Sequence, residues 1–304
     1  MRKVIFSGLL GILIGANAMA QSNKIDYNFE FNDPSAASKL LVLAEMGIDG
    51  SLGNGMFIAD INLGAIARYS VNENLDIQSK IRKSIASFYF DPAYRKNFEF
   101  ETVGTFFLNN KVSERTERVI VSEREWGNVV NTEFFDAKLP QQNSFGVNAG
   151  LSYKTVGIDP TETYDPASGE GYNGARDNVN FSTLSLIGGV QFKRINASVI
   201  KLKNYKKPRV FDNYMVMTID GLLAPINTFT DAVTGERVGS EIKEEGFTNS
   251  LPFGARFTYN VYGSLPASDN AKVLRYTYST SIGIRPYLGF HFDFGIGVMV
   301  FRQR

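Results

Sequence analysis

The sequence predicts an all-β fold: a single antiparallel transmembrane β-barrel of about 12 strands (10–14), with long loops at one end. Three observations predict it. Apolar and polar residues alternate with period two over long segments. In each segment one face is apolar while the other carries charges and small polar residues. Long turn-rich stretches alternate with short connections, as expected where the two ends of a barrel meet different compartments.

The chain opens with a secretory signal over residues 1–20. Arg2 and Lys3 precede the apolar run Val4–Ala16, and Ala18-Met19-Ala20 supplies a small-x-small cleavage pattern, so cleavage is expected near Ala20. A helix needs about 20 apolar residues to span a bilayer, and this run is shorter. Residues 21–39 read as an N-terminal arm and 40–304 as the barrel. Beyond the signal, no 18-residue apolar stretch offers a helical span.

From Met56 to Ser70 the odd positions Phe57, Ala59, Ile61, Leu63, Ala65, Ala67 and Tyr69 form one apolar face. Asp60 and Arg68 stand on the other. From Leu75 to Phe88, Ile77 and Ile81 share a face opposite Asp76, Lys80 and Arg82. Parity between these two strands requires a loop of odd length, most simply Asn72–Asn74. The pattern recurs from Phe98 to Leu108, where Phe98, Phe100 and Phe106 oppose Glu99 and Glu101. It recurs again in Phe145–Tyr153 with Lys154 on the polar face, in Leu184–Phe192 with Lys193, and in Leu251–Val261 with Arg256.

The last two strands alternate most cleanly. Leu274, Tyr276, Tyr278, Ile282 and Ile284 oppose Arg275 and Arg285, and Phe290, Phe292, Phe294 and Ile296 oppose His291 and Asp293. Their loop is expected to hold three or five residues, and three would place His291 opposite Gly283 and Asp293 opposite Ser281. Weaker strand candidates are Leu40–Ile48, Val112–Ser122, Ile195–Tyr205 and Val210–Asp220. The stretches Glu123–Asn143, Asp159–Asn178 and Ala224–Asn249 read as loops.

Long two-faced strands suit either a soluble barrel or sandwich with the apolar face inward, or a membrane barrel with that face toward lipid. Strand length, the small polar residues opposite the apolar face, and aromatics near strand ends such as Tyr69, Phe106, Tyr153 and Tyr287 favour the membrane. The signal, the alternating strands and the closing strand Phe290–Phe301 (FHFDFGIGVMVF) resemble a Gram-negative outer-membrane β-barrel protein. The resemblance is one of pattern over most of Met56–Phe301, and it departs where Arg302-Gln303-Arg304 follow the last aromatic. It implies residence in the outer membrane, lipid as a partner, and small solutes or an envelope protein as candidate further partners.

On this reading Ile61, Leu63, Ile77, Ile81, Phe292, Phe294 and Ile296 face lipid. Asp60, Arg68, Asp76, Lys80, Arg82, Glu99, Glu101, Lys154, Lys193, Arg256, Arg275, Arg285, His291 and Asp293 line the interior. The charges among these are eight positive and five negative, so an open pore would mildly favour anions.

Composition excludes several chemistries. There is no cysteine and only one histidine, so thiolate sites, disulfides and multi-histidine zinc sites are out. Without the signal the chain has 30 basic and 31 acidic residues, which gives no reason to expect nucleic acid. Ser279, Ser281, His291 and Asp293 supply the parts of a hydrolytic triad, but no G-x-S-x-G elbow accompanies them, and a polar interior network explains them without catalysis. The acidic residues of Asp159–Asn178 lack calcium-loop spacing, and the run Lys201, Lys203, Lys206, Lys207 and Arg209 suits a strand end or a contact with anionic headgroups. Glycine-rich Asp49–Gly55 lacks the lysine of a phosphate loop. No catalytic group, metal or cofactor is expected. The function expected is that of a non-enzymatic barrel with a transport, structural or docking role; the alternatives are a secreted soluble binding protein and a barrel-embedded hydrolase around His291.

Overall fold

The structure, a computed structural model, describes residues 26–31, 33–34, 39–53, 56–89, 98–126, 129–158, 179–203, 209–231, 236–237, 251–266 and 273–303. The expected signal and the acidic loop Asp159–Asn178 lie outside the described residues.

Among the described residues eleven strands follow one another: β1 (Tyr27–Phe31), β2 (Leu40–Gly53), β3 (Met56–Asn72), β4 (Leu75–Tyr89), β5 (Phe98–Trp126), β6 (Val129–Ile158), β7 (Val179–Leu202), β8 (Arg209–Asp231), β9 (Phe253–Pro266), β10 (Val273–Arg285) and β11 (Gly289–Gln303). Strands β2 to β11 each pair antiparallel with the next, and β11 pairs back onto β2. The result is a closed ring of ten strands, which leaves no edge within the barrel. Strand β1 stands outside the ring and pairs with the end of β7, from Tyr27↔Leu202 to Phe31↔Val199.

Two expected strands are continuations of others. Val112–Ser122 lies within β5 and most of Ile195–Tyr205 within β7. The stretch Glu123–Asn143, read as a loop, is the end of β5 and the start of β6, and Ala224–Asp231 belongs to β8. These segments run past the apolar-belted part of the barrel, where Glu114, Arg115, Glu117 and Arg118 blur the apolar alternation. The arm contains β1, whose five residues are too short to stand out from their surroundings.

Parity held at both hairpins, by different means. Between β10 and β11 the loop is Pro286–Leu288, and His291 lies opposite Gly283 and Asp293 opposite Ser281. Tyr287 turns this corner at φ 60°, and Gly289 follows at φ 78°, where a residue without Cβ carries no steric cost. Between β3 and β4 the turn is the two residues Glu73-Asn74 rather than three. A bulge between Ser70 and Asn72 absorbs the odd residue and restores the register, with Ser70 opposite Asp76.

The start of β2, the end of β11, the β3–β4 turn and the strand ends that border the β5–β6, β7–β8 and β9–β10 connections share one end of the barrel, the terminal end. The strand ends that border residues 159–178 and 232–252 lie at the other, the loop end. At the terminal end β5 and β6 continue beyond their neighbours as a long hairpin. Its residues Val119, Val121, Ala137 and Leu139 form a dry cluster with Ile200 and Leu202 of β7, joined by Tyr27, Phe135 and Phe211. Arg209 donates to the carbonyl of Val121 at 2.8 Å. The other face of β7, at Ile195 and Ala197, packs on Tyr214. The end of β7 is thus covered on both faces. Of the basic run, Lys201 pairs with Glu30 and Lys203 with Asp26, both with β1 or its flank; Lys206 and Lys207 lie outside the described residues.

Candidate functional site: a charge-filled barrel interior

Side chains sort by parity. Of the residues expected to meet lipid, Leu63, Ile77, Ile81, Phe294 and Ile296 are exposed on the outer face, and Ile61 and Phe292 are partly covered there. The Phe292 ring lies over Gly50 on the neighbouring strand, which fills the space that glycine leaves. On β7 the outward residues between Ser182 and Arg194 are Leu184, Leu186, Gly188, Val190 and Phe192. At about 3.3 Å per residue and a tilt near 40°, this belt is roughly 20–30 Å tall, the height of a bilayer's hydrocarbon core. Aromatic residues stand toward its limits: Tyr153 and Phe290 toward the loop end, Tyr69, Phe106 and Phe192 toward the other.

The inner face is the reverse. Asp60, Arg68, Asp76, Arg82, Glu99, Glu101, Lys154, Lys193, His291 and Asp293 are buried. Lys80, Arg256 and Arg285 are nearly so, and Arg275 is partly buried. A soluble barrel buries its apolar face and wets its polar one, and this molecule does the opposite. The chain is a closed antiparallel β-barrel with an apolar outer face and a charged interior.

Glu45, Asp49 and Asp220 are also buried inside, and the alternation pattern did not point to them. With these three added, the inner charges number eight positive and eight negative. Among the described residues the expected excess of positive charge is balanced, which removes the basis for anion preference. Glu45 and Asp49 escape the pattern because Leu40–Ala44 is apolar on both faces, so β2 shows no alternation where it begins. Their spacing of four was the available signal, since it puts both on one side of a strand.

The charges are arranged against each other. Asp60, Asp49 and Asp293 stand side by side on β3, β2 and β11. Like charges in direct register repel, so the row needs cations. They come from other walls of the barrel. Lys154 on β6 reaches Asp49 at 2.6 Å, and Arg285 on β10 reaches it at 2.8 and 2.9 Å. Arg82 on β4 bridges Asp293 and Glu45, and Lys80 meets Asp293 at 3.2 Å. On the far side Arg256 of β9 clasps Glu101 of β5 at 2.6 and 3.2 Å and Asp220 of β8 at 3.0 Å. Strands β2 and β6, and likewise β5 and β9, are four places apart in a ring of ten. Strands β5 and β10 are diametrically opposite, yet Arg285 and Glu99 approach to 3.5 Å. These pairs cross the lumen.

Small residues make the crossings possible. Glu45 has Gly64 and Gly297 as its two cross-strand neighbours. A Cβ at Gly64 would lie 2.7 Å from Cγ of Arg82, and one at Gly295 would lie 2.5 Å from Oε1 of Glu45. Among the described residues, two cavities lie between these pairs: one of about 50 Å³ bounded by Lys80, Arg82, Arg256 and Asp293, and one of about 20 Å³ beside Lys154 and Arg285. Both are polar and suit a few water molecules.

His291 is fully buried, and among the described residues neither ring nitrogen has a hydrogen-bond partner. Asp293 is engaged by Arg82 and Lys80, and Arg82 reaches Ser279 at 3.5 Å. Among the described residues no serine, histidine and carboxylate stand in the hydrogen-bonded sequence that a triad needs, and no His/Asp/Glu group there is arranged to hold a metal ion.

No protein-family model matches the chain, and no curated protein matches it. Among solved structures it is similar to the translocator domain of the autotransporter NalP from Neisseria meningitidis, with 11% identity, a TM-score of 0.32 and 96% of each chain covered.

Proposed function

We propose that this is an outer-membrane protein of a Gram-negative cell, exported by residues 1–20, cleaved near Ala20, and held in lipid by its outer face. It performs no covalent chemistry. Its role is structural or in docking an envelope partner, and it is not an open porin. The observation that carries this reading is the set of ion pairs across the lumen, Lys154 to Asp49, Arg256 to Glu101 and Arg285 to Glu99. Small barrels are filled by side chains, whereas sixteen or more strands leave an aqueous channel, and here ionic cross-links occupy the space where a channel would run. The hairpin beyond the terminal end is the part of the described structure that stands clear of the belt, and it suits docking better than conduction.

The test is conductance of the wild-type protein refolded into a planar bilayer. The expected record is flat, without steady ohmic steps in monovalent salt. Persistent steps of porin size would contradict the proposal.

A further inference from the structure

Beyond Phe106 strand β5 leaves β4 behind. The amide of Phe107 still donates to the carbonyl of Asn74 at 2.8 Å, and the Asn110 side chain donates to the carbonyl of Glu73 at 2.7 Å. From Lys111 to Trp126 no strand among the described residues pairs with β5 on that side. The other side of the hairpin is covered: Tyr27 of β1 stacks on Phe135 of β6, with 4.7 Å between ring centroids. An open edge is a template for a further strand, and proline or unmatched charge is the usual way to blunt it. Residues 111–126 hold no proline, and their charges are of both signs.

The order of those charges is self-complementary. When two identical strands pair antiparallel, the numbers of facing residues keep a constant sum. With Thr116 at the centre, Glu114 faces the partner's Arg118, Arg115 faces the partner's Glu117, and Val112 faces the partner's Ile120. Symmetry makes each of these contacts twice. A slip of one residue in the sum sets Glu114 against the partner's Glu117, or Arg115 against the partner's Arg118, and like charges in direct register repel. In the single chain these groups are accessible. Val112 and Ile120 are 56% and 44% exposed, Glu114 is exposed, and Arg118 holds Asp136 only at 3.6 Å on the open surface.

We propose that this edge of β5 pairs with the same edge of a second copy, giving a two-fold dimer centred on Thr116. This names the docking partner, and it rests on the reading of the hairpin as the docking part of a membrane-held barrel. Two copies in one bilayer share an axis along the membrane normal, so antiparallel pairing lays both hairpins along the membrane surface. A bulge between Phe107 and Asn109 stands where β5 leaves the barrel, and bulges bend the strand that carries them.

The chain has no cysteine, so disulfide trapping has no background. In the dimer the two Thr116 residues face each other with Cα atoms about 4.5–5.5 Å apart, within disulfide range. Lys138 lies opposite Thr116 on β6 and is equally on the surface. Its two copies would be three strand spacings apart, about 14 Å. In vesicles under mild oxidant, Thr116→Cys should form covalent dimer at least about tenfold faster than Lys138→Cys. Arg115→Glu should remove that difference, and Arg115→Glu with Glu117→Arg should restore it. Heat-modifiable migration checks that each barrel is folded; if Thr116→Cys is not, a mixture of Val112→Cys and Ile120→Cys chains replaces it. Equal trapping at 116 and 138, or trapping that ignores Arg115→Glu, would overturn the proposal. A monomer with a flat conductance record overturns the pairing alone, and a trapped dimer that conducts overturns the closed-barrel reading alone.

Discussion

Replacing Arg82 by methionine is expected to cost about 3–5 kcal/mol of barrel stability, far more than a substitution on an exposed surface. The guanidinium is buried between Glu45 and Asp293 and bonds to both. Methionine keeps much of the volume and removes the charge. Asp293 still has Lys80, but no other partner is seen for Glu45 among the described residues, and its Oε2 already has none. The cost is that of a carboxylate left in a dry interior, not the net worth of the pair. Adding Glu45→Gln to Arg82→Met should therefore recover at least about half of the loss. Urea-unfolding midpoints of the protein refolded into vesicles measure both. A change within about 0.5 kcal/mol for the single variant, as at an exposed surface site, would show that the interior charges are solvated.

The second large effect lies on the outer face. Leu186 stands near the middle of the belt on β7, two residues from Gly188, and is 46% exposed. Phe192 stands on the same strand beside Arg194, at the boundary toward the terminal end, and is 50% exposed. Equal exposure to water would make Arg equally tolerable at both. In a bilayer the cost depends on depth: about 2–4 kcal/mol for Leu186→Arg at the midplane and about 0–1 kcal/mol for Phe192→Arg at the interface. Unfolding in lipid vesicles should resolve the gradient. Two similar small changes would mean that this face does not meet hydrocarbon.

What was legible in the sequence was the part of each strand that carries the apolar belt. There an apolar outer surface and a packed polar interior impose opposite demands on alternate residues, and Phe290–Val300 obeys both. Legibility fails where the environment stops being two-sided. In β5 beyond Leu108 both faces carry charges, so a continuous strand read as two elements. In β2 the inward Leu41 and Leu43 are buried inside the lumen, and they blurred the alternation of a strand seen only as a weak candidate over Leu40–Ile48, so Glu45 and Asp49 were not assigned to the interior. Inner charges could be assigned from parity, but their partners could not, because Arg285 and Glu99 meet only once the ring has closed. That the lumen is crossed by ion pairs followed from the strand number and register together, neither of which alternation alone determines.

The central claim is that neighbouring residues on one strand point into lipid and into a filled interior by turns. The most direct test is site-specific labelling at two adjacent positions of β10 in vesicles. Tyr278 is on the outer face, packed edge-on against Phe294 at 5.1 Å between centroids, and Ser279 is buried inside. Tyr278→Cys should react with a maleimide that partitions into lipid and resist a bulky aqueous one, while Ser279→Cys should resist both. Rapid reaction of Tyr278→Cys with the bulky aqueous reagent, or of Ser279→Cys with the lipid-phase reagent, would contradict the account.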